Sequence, residues 1–352
     1  MGDPTPPTPY TRAVALGIVP FLVVASVMLY LLPTRTEQLF AWTIAPPVSA
    51  MFLGSAYVGG IVFFIHVARA ARWEQVQYGF PAVLLFSVLL AIATVLHWDR
   101  FHFGHLSFIV WATLYAVTPA LVAGVLVVQH SRTRRQRAAT PDSSGVAAKD
   151  AADDAAQEDA GEVATDAAGN ATTESAPRST YDVGGGPSVD AARQDDRTVS
   201  AVHDSAPTSR TATGSAGARS DLAEGVVPWV ARIAFAALGL AALVVGIVMF
   251  VAPAVFIDTW AWPLTPLTAR VTGAVLTLPG MVNVWMLREG RWSLFCRIFD
   301  AEILSLVFLA GALVLARGNI EWARPAASVV TVGLAASLVS YVAFWLYCRR
   351  RY

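Results

Sequence analysis

The densest group of side chains that could do chemistry lies in "HWDRFHFGH", residues 97–105. Imidazole and carboxylate groups are ligands that zinc, iron or copper take in proteins. We therefore predict a metal site formed by His97, Asp99, His102 and His105, with an open coordination position facing water. Two alternatives stay open for this histidine cluster. One is a proton relay or a quinone-side role, and the other is a plain interfacial loop, because tryptophan and basic side chains favour the membrane interface.

The cluster lies between two long apolar segments. If these segments cross a membrane, the cluster lies in the loop that joins them at the membrane surface. The 352 residues are 55% hydrophobic and only 14% charged, whereas soluble proteins carry about 25% charged residues. Eight apolar runs are long enough, or nearly so, to cross about 30 Å of hydrocarbon. They cover residues 13–32, 47–68, 80–97, 107–129, 229–252, 264–287, 299–316 and 325–347. The third and seventh runs are the shortest, so a count of seven spans is the main alternative.

The segment 132–225 between the fourth and fifth runs is a linker of a different kind. Residues 141–225 contain 16 acidic and 6 basic residues, whereas the rest of the chain contains 9 acidic and 19 basic residues. Because the linker has few aromatic or branched apolar residues, it cannot bury a core, and we predict that it is disordered. The predicted domains are a disordered leader at 1–12, a four-span unit at 13–131, this acidic linker, and a second four-span unit at 226–352.

Landmark residues recur at a nearly constant offset in the two units. At an offset of 220, Pro33 corresponds to Pro253, Ala41 to Ala261, Trp42 to Trp262, Pro46 to Pro266 and Gly60 to Gly280; with one residue removed, Arg72 and Trp73 correspond to Arg291 and Trp292, and Phe80 to Phe299. This pattern indicates an internal duplication. Four spans is an even number, so the two units are parallel. The predicted fold is all-α and integral to the membrane, with eight transmembrane helices as two parallel four-helix repeats.

The ends of the predicted helices carry their own signals. Trp42 and Trp262 are expected at the outer interface with their indole N–H groups in water, and Pro46 or Pro47 and Pro266 are expected to start helices. Arginines concentrate on one side of the eight spans, at residues 69 and 72, 132–137, 288–297 and 349–351. By the positive-inside rule that side is cytoplasmic. The protein is therefore predicted to lie in the cell membrane with both termini and the linker on the cytoplasmic side.

A few polar residues lie within or beside the predicted spans. His66 and Asn283 are expected to form hydrogen bonds across helices. Asp300 is expected to pair with Arg297 near the start of the seventh span. Glu302 lies deeper and is the acid we expect to be partly buried.

One segment of the second unit resembles a known group of membrane proteins. It reads "RIAFAALGLAALVVGIVMFVAPAVFIDTW" and contains Gly246 and Pro253 with six residues between them, followed by Arg270 and Gly273 with two residues between them. This pattern resembles the DoxX-like four-helix membrane proteins, over the fifth and sixth spans. The resemblance implies a four-helix bundle per unit and little about chemistry.

Function is less defined than architecture. The sequence has no phosphate-binding glycine loop, no cysteine-histidine metal pattern and no nucleophile motif, and no cofactor or nucleic acid is predicted. Few charges lie at mid-membrane, which disfavours an ion-coupled transporter. We predict a non-enzymatic scaffold, assembly or lipid-interacting protein in contact with the lipid bilayer, with a cytoplasmic protein partner for the linker. The alternative is a small-molecule carrier or a quinone- or metal-linked redox component that uses the histidine cluster.

Overall fold

The computed structural model describes residues 5–139 and 225–351, and the regular elements of those ranges are helices. A helix lies at each of the eight predicted positions. The long helices are α1 (Pro9–Leu31), α2 (Pro47–Arg69), α3 (Gly79–Leu96), α4 (Leu106–Ala139), α5 (Trp229–Val251), α6 (Pro266–Trp285), α7 (Cys296–Leu315) and α8 (Pro325–Arg351). We call residues 5–139 the first half and residues 225–351 the second half.

Seven of these helices are long and apolar enough to cross a membrane, which supports a multi-pass membrane protein. The exception in the described ranges is α6, in which Arg270, Pro279 and Asn283 lower the mean hydropathy. The helices run between two ends of the molecule. We call the end that holds Trp42 and Trp262 the tryptophan end, and the opposite one the arginine end.

Helix boundaries follow proline and capping signals. Helices α2 and α6 begin at Pro47 and Pro266, as predicted, because a first-turn proline lacks only an N–H group that would be unpaired there. Helix α1 begins at Pro9, inside the predicted leader, because the Thr8 side chain caps it through the backbone N–H of Thr11. Helix α4 continues to Ala139, into the predicted linker. The remainder of the linker lies outside the described residues.

The second helix of each half lies at the centre of the molecule. Helix α2 packs on α1 and α6 packs on α5, so this pairing is the same in both halves. Each central helix also packs on the third helix of the other half, α2 on α7 and α6 on α3, and the two central helices contact each other. The halves therefore share one core and form one compact unit.

Local structure also recurs between the halves. Two backbone hydrogen bonds of the first half recur in the second half at an offset of 219 or 220 residues. The bond from Trp73 N to Thr5 O (2.7 Å) recurs as Trp292 N to Gly225 O (2.9 Å), and the bond from His102 N to Ala41 O (2.9 Å) recurs as Glu321 N to Ala261 O (2.9 Å). The first pair fixes the chain before α1 or α5 to the loop after α2 or α6. The second pair fixes two loops together at the tryptophan end of each half.

Glycines allow α5 and α6 to cross in backbone contact. A Cβ atom added at Gly246 would lie 2.6 Å from the carbonyl oxygen of Gly273, and one at Gly273 would lie 2.5 Å from that of Gly246. Two turns away, a Cβ atom at Gly280 would lie 2.8 Å from the carbonyl oxygen of Gly239. Small residues at such crossings give membrane helices their closest packing. The crossing includes Gly246 and Gly273, two residues of the resemblance described above.

The prediction that Trp42 and Trp262 keep their indole N–H groups in water is wrong. Both side chains are buried, with 2% and 0% exposure, and neither Nε1 atom has a hydrogen-bonding partner. Each tryptophan lies in the loop before a central helix, and its ring packs inward against aromatic side chains. Trp42 packs against Trp111 with a ring-centroid distance of 4.7 Å, and Trp262 packs against Phe52 of the other half at 6.0 Å.

Candidate functional site

The predicted histidine cluster lies at the tryptophan end, where its members have separate partners. His97 accepts a hydrogen bond at Nε2 from Arg270 Nη1 of the second half, at 2.6 Å. Asp99 is exposed and forms an ion pair with Arg100 at 3.2 Å. These two predicted metal ligands therefore bind arginine side chains.

His102 and His105 are neighbours, with ring centroids 5.2 Å apart. The Nδ1 atom of His102 lies 3.2 Å from the carbonyl oxygen of Phe40, and its Nε2 atom lies 3.1 Å from the Thr43 hydroxyl. A metal would have to displace one of these contacts to reach His102. Over the described ranges, no group of three or more His, Cys, Asp or Glu side chains is arranged to hold a metal ion. The metal site stays a prediction.

The contact between His97 and Arg270 should respond to acid. Partial burial and then the positive charge of Arg270 lower the pKa of His97 below its usual value. Neutral His97 is the form the fold favours, so its contribution to stability is present above the ordinary histidine pKa of about 6.5 and is lost as the pH falls through the lowered pKa. We expect Arg270→Gln to raise the pKa of His97, measured by NMR titration of histidine-labelled protein. An unchanged pKa would contradict this contact.

A cavity of about 960 Å³ lies among the helices of both halves. Its walls are mostly apolar and include Phe52 and Phe86 from the first half and Leu278 and Leu306 from the second half. Binding sites for small molecules occupy roughly 300–1,000 Å³. The cavity therefore has the size and the lining of a site for a hydrophobic molecule.

This cavity reaches the sides of the helical body. Leu238 on α5 and Val329 on α8 line the cavity, and they are 38% and 70% exposed, so it opens between α5 and α8. A smaller cavity of about 490 Å³ lies between α1 and α4, the corresponding helices of the first half. Ile18 and Thr118 line both cavities, which makes them neighbours.

Most polar groups along the main cavity are paired within the protein. The hydroxyls of Tyr57 and Tyr115 bind each other at 2.8 Å. Ser87 donates to the carbonyl oxygen of Leu84 at 3.0 Å, and Ser305 donates to that of Ser55 at 3.0 Å. These groups need no ligand to complete their hydrogen bonds.

Three residues towards the arginine end are different, and we call them the Glu302 cluster: Glu302 on α7, Asn283 on α6 and Tyr341 on α8. Asn283 is fully buried and donates from Nδ2 to the Tyr341 hydroxyl at 2.5 Å. Both carboxyl oxygens of Glu302 and the Oδ1 atom of Asn283 are buried without a hydrogen-bonding partner. The Tyr341 hydroxyl also interacts with the Glu302 carboxyl group as a weak donor, which leaves most of the hydrogen-bonding capacity of the carboxyl group unfilled. Unpaired buried acceptors are costly unless a ligand completes them.

The helix crossing positions this cluster. A Cβ atom at Gly239 would lie 2.5 Å from the Cβ atom of Asn283, so only glycine on α5 leaves room for this amide beside it. Helix α6 is thereby held close to α5, while Tyr341 reaches Asn283 from α8. The carboxyl and amide groups are thus fixed at the cavity wall by three helices.

The sequence indicated part of this site. The cross-helix hydrogen bonds of Asn283 and His66 are confirmed, the latter from Nδ1 to the carbonyl oxygen of Arg297 at 3.1 Å. The buried carboxyl oxygens of Glu302 agree with its expected burial. The predicted pairing of Asp300 with Arg297 is wrong, because Asp300 instead accepts from Trp345 Nε1 at 2.7 Å. Tyr341 gave no sequence signal, since a tyrosine in an apolar run is indistinguishable from a packing residue.

Comparison with protein-family models, curated proteins and solved structures finds no match to this chain. The resemblance to the DoxX-like group therefore stays a prediction.

Proposed function

We propose that this chain is a non-enzymatic membrane protein that binds a lipid-like molecule in the cavity between its halves. The main cavity carries this proposal: it is large, mostly apolar and open at the side of the helical body. A molecule dissolved in the bilayer would reach such a cavity between α5 and α8 without crossing water. The unpaired acceptors of the Glu302 cluster give the cavity one polar position.

We further propose that α6 is the eighth membrane crossing. Its low hydropathy fits a central position, because α6 packs on α5, α3 and α2 and its polar groups face protein. A helix shielded from lipid does not need the apolar surface of an exposed one. Eight crossings also place both ends of the described chain on one side.

The proposed duplication has structural support beyond the landmark residues. The two pairs of backbone hydrogen bonds described above involve corresponding residues on both sides of each bond. The helix pairings correspond as well, since α1 with α2 matches α5 with α6, and α2 with α7 matches α6 with α3. These correspondences are those of two parallel units related by a pseudo-two-fold axis along the membrane normal.

We propose that the arginine end faces the cytoplasm. Reporters fused after residue 140, at residue 200 and at the C-terminus should all report a cytoplasmic position, because arginine-rich loops are retained on that side. The measurement is paired alkaline phosphatase and fluorescent-protein fusions. An external signal from the linker would require an odd number of crossings before it and would overturn the parallel repeat.

The lipid-binding function is tested by filling the cavity. Gly333 lines the cavity, and a Cβ atom added there would meet no atom within 4 Å. Gly333→Trp should therefore occupy the space that a ligand needs without displacing protein. We expect purified Gly333→Trp protein to retain severalfold less co-purified lipid or other hydrophobic molecule than the unaltered protein, measured by mass spectrometry of extracts.

Val332→Trp is the matched control, because Val332 is adjacent on α8, is 67% exposed and does not line the cavity. It should retain the same bound molecules as the unaltered protein. Equal retention in all three proteins would refute the proposed function.

The alternative of a carrier or redox component using the histidine cluster has less support, because His97 and His102 are hydrogen-bonded to protein groups. The predicted cytoplasmic partner of the linker stays a proposal that rests on its acidic composition.

A further inference from the structure

We propose that the Glu302 cluster binds the polar head of the ligand, and that this head carries hydrogen-bond donors, as an alcohol, a phenol or an amine does. This inference rests on the proposed lipid-binding function and specifies its ligand class. The apolar tail would lie along the remainder of the cavity.

The balance of donors and acceptors in the cluster selects the head group. Three buried acceptors lack partners, namely both carboxyl oxygens of Glu302 and Oδ1 of Asn283. One Asn283 N–H already binds Tyr341, which leaves the second Asn283 N–H and the tyrosine proton as donors for three acceptors. With the carboxyl group ionised, the acceptors outnumber the donors, and a ligand that fits supplies N–H or O–H groups. An ester or an ether could only accept a hydrogen bond from the protonated acid, and it would leave the remaining acceptors unpaired.

The depth of Glu302 in the membrane is suited to the polar head of an amphiphile. Glu302 lies about 9 Å along α7 from Cys296, at 1.5 Å per residue, which is within the apolar depth of a bilayer and near its arginine-end boundary. An amphiphile oriented with the lipids of that leaflet has its head near this boundary and its tail directed to the middle. The cavity extends from the cluster towards Trp260 and Trp262 at the opposite end.

The other unpaired groups on the cavity wall do not compete for the same head. The indole Nε1 atoms of Trp260 and Trp262 also lack partners, but they are donors and would bind acceptors. The tyrosine and serine hydroxyls of the first half are already paired. Asp258 also lines this cavity, but it lies at the tryptophan end and is exposed. Within the described ranges, the Glu302 cluster holds the buried, unpaired acceptors of this cavity.

The charge of the head follows from what neutralises the carboxyl group. No ion pair joins Glu302 to a basic side chain among the described residues. A carboxylate in apolar surroundings is stabilised only by a proton or by a cation. An amine head would supply the cation, whereas an alcohol or phenol head would bind the protonated acid. Both heads share the donor chemistry, and the experiment separates them.

The experiment compares three probes with the same tail: hexadecanol, hexadecylamine and hexadecyl methyl ether. Dissociation constants are measured by native mass spectrometry of the delipidated full-length protein. The alcohol, the amine or both should bind about tenfold more tightly than the ether, which cannot donate a hydrogen bond. The tighter of the two donor probes identifies a neutral or a cationic head.

Two variants test whether the preference for donor probes depends on Glu302. Glu302→Met keeps the length and removes both acceptors, so it should reduce the donor preference about tenfold. Ser87→Ala removes a paired hydroxyl from the other part of the cavity wall and should leave the preference unchanged. A preference that persists in Glu302→Met protein would overturn the proposed position of the head.

A second measurement needs no variant. Dicyclohexylcarbodiimide reacts with carboxyl groups in apolar sites, and peptide mapping reports modification of Glu302. Hexadecanol should protect Glu302 at concentrations at which the ether does not, whereas hexadecylamine bound there should displace the activated intermediate and leave an amide on Glu302. Equal protection by hexadecanol and the ether, with no amide formed by the amine, would overturn the inference, even where Glu302→Met fails to fold.

The two proposals fail in different ways. Equal binding of the three probes, together with loss of lipid in Gly333→Trp protein, would refute the donor head and leave the lipid-binding cavity in place. No binding of any probe, together with unchanged lipid in Gly333→Trp protein, would refute both.

Discussion

Replacing Gly246 with leucine is expected to prevent the protein from accumulating as a folded, monodisperse species. The carbonyl oxygen of Gly273 lies 2.6 Å from the position of the new Cβ atom, and a backbone atom cannot rotate away as a side chain does. Helices α5 and α6 would have to separate along their whole crossing. Even Gly246→Ala should lower the free energy of unfolding by about 2 kcal/mol, the usual scale of overpacking.

The measurement is the thermal unfolding midpoint in detergent, together with size-exclusion profiles of the membrane extract. Gly17 provides the matched control, because it also lies within a helix and an added Cβ atom there would meet no atom within 4 Å. Gly17→Ala should be neutral or slightly stabilising, since alanine favours helix over glycine by about 1 kcal/mol. Similar losses at both positions would show that the close crossing is not the cause.

The second large effect is expected when the halves are separated. Residues 1–140 and 225–352 expressed alone should be degraded or aggregate, because each central helix would lose the third helix of the other half. Co-expressed, the two fragments should associate and co-purify through an affinity tag on one of them. The linker would then be unnecessary for assembly.

A buried ion pair between the halves allows a sharper test. Glu74 of the first half is 5% exposed and lies 3.1 Å from Arg72 and 3.7 Å from Arg291 of the second half. Glu74→Ala leaves Arg291 with Glu289, at 3.1 Å, and removes this ion pair between the halves. Fragment recovery should fall several-fold in this variant, whereas Glu37→Ala, at an exposed site at the other end, should have no effect. Independent accumulation of either fragment would contradict the shared core.

The sequence predicts the helices well because hydrophobic length is a local property. Each of the eight apolar runs corresponds to a helix, and prolines at positions 47 and 266 predict two helix starts. The polar residues Asn283 and Glu302 stood out for the same reason, since an amide or a carboxyl group is rare in an apolar segment.

Relations between distant helices were not accessible in this way. The hydrophobic pattern of α2 does not indicate that α2 packs more extensively on α7 than on the third helix of its own half. Trp42 and Trp262 lie in sequences typical of the membrane interface, and only their packing against distant aromatic side chains makes them core residues. The members of the histidine cluster are close in sequence, which made them look like one site. The side chain that donates a hydrogen bond to His97 Nε2 is that of Arg270, 173 positions away. The cavity likewise results from spaces between helices of both halves.

The interleaved halves bear on how one acidic site could arise. If the halves descend from a single ancestral unit, that unit had to assemble as a symmetric homodimer, because each central helix needs the third helix of its partner. A homodimer carries every residue twice on opposite sides of its axis. After gene fusion the two copies are free to diverge. In the first half, Val83 corresponds to Glu302, Val122 corresponds to Tyr341, and Phe63 corresponds to Asn283. Fusion would thus have let one half specialise in the polar contact while the other kept an apolar wall, which a symmetric ancestor could not do.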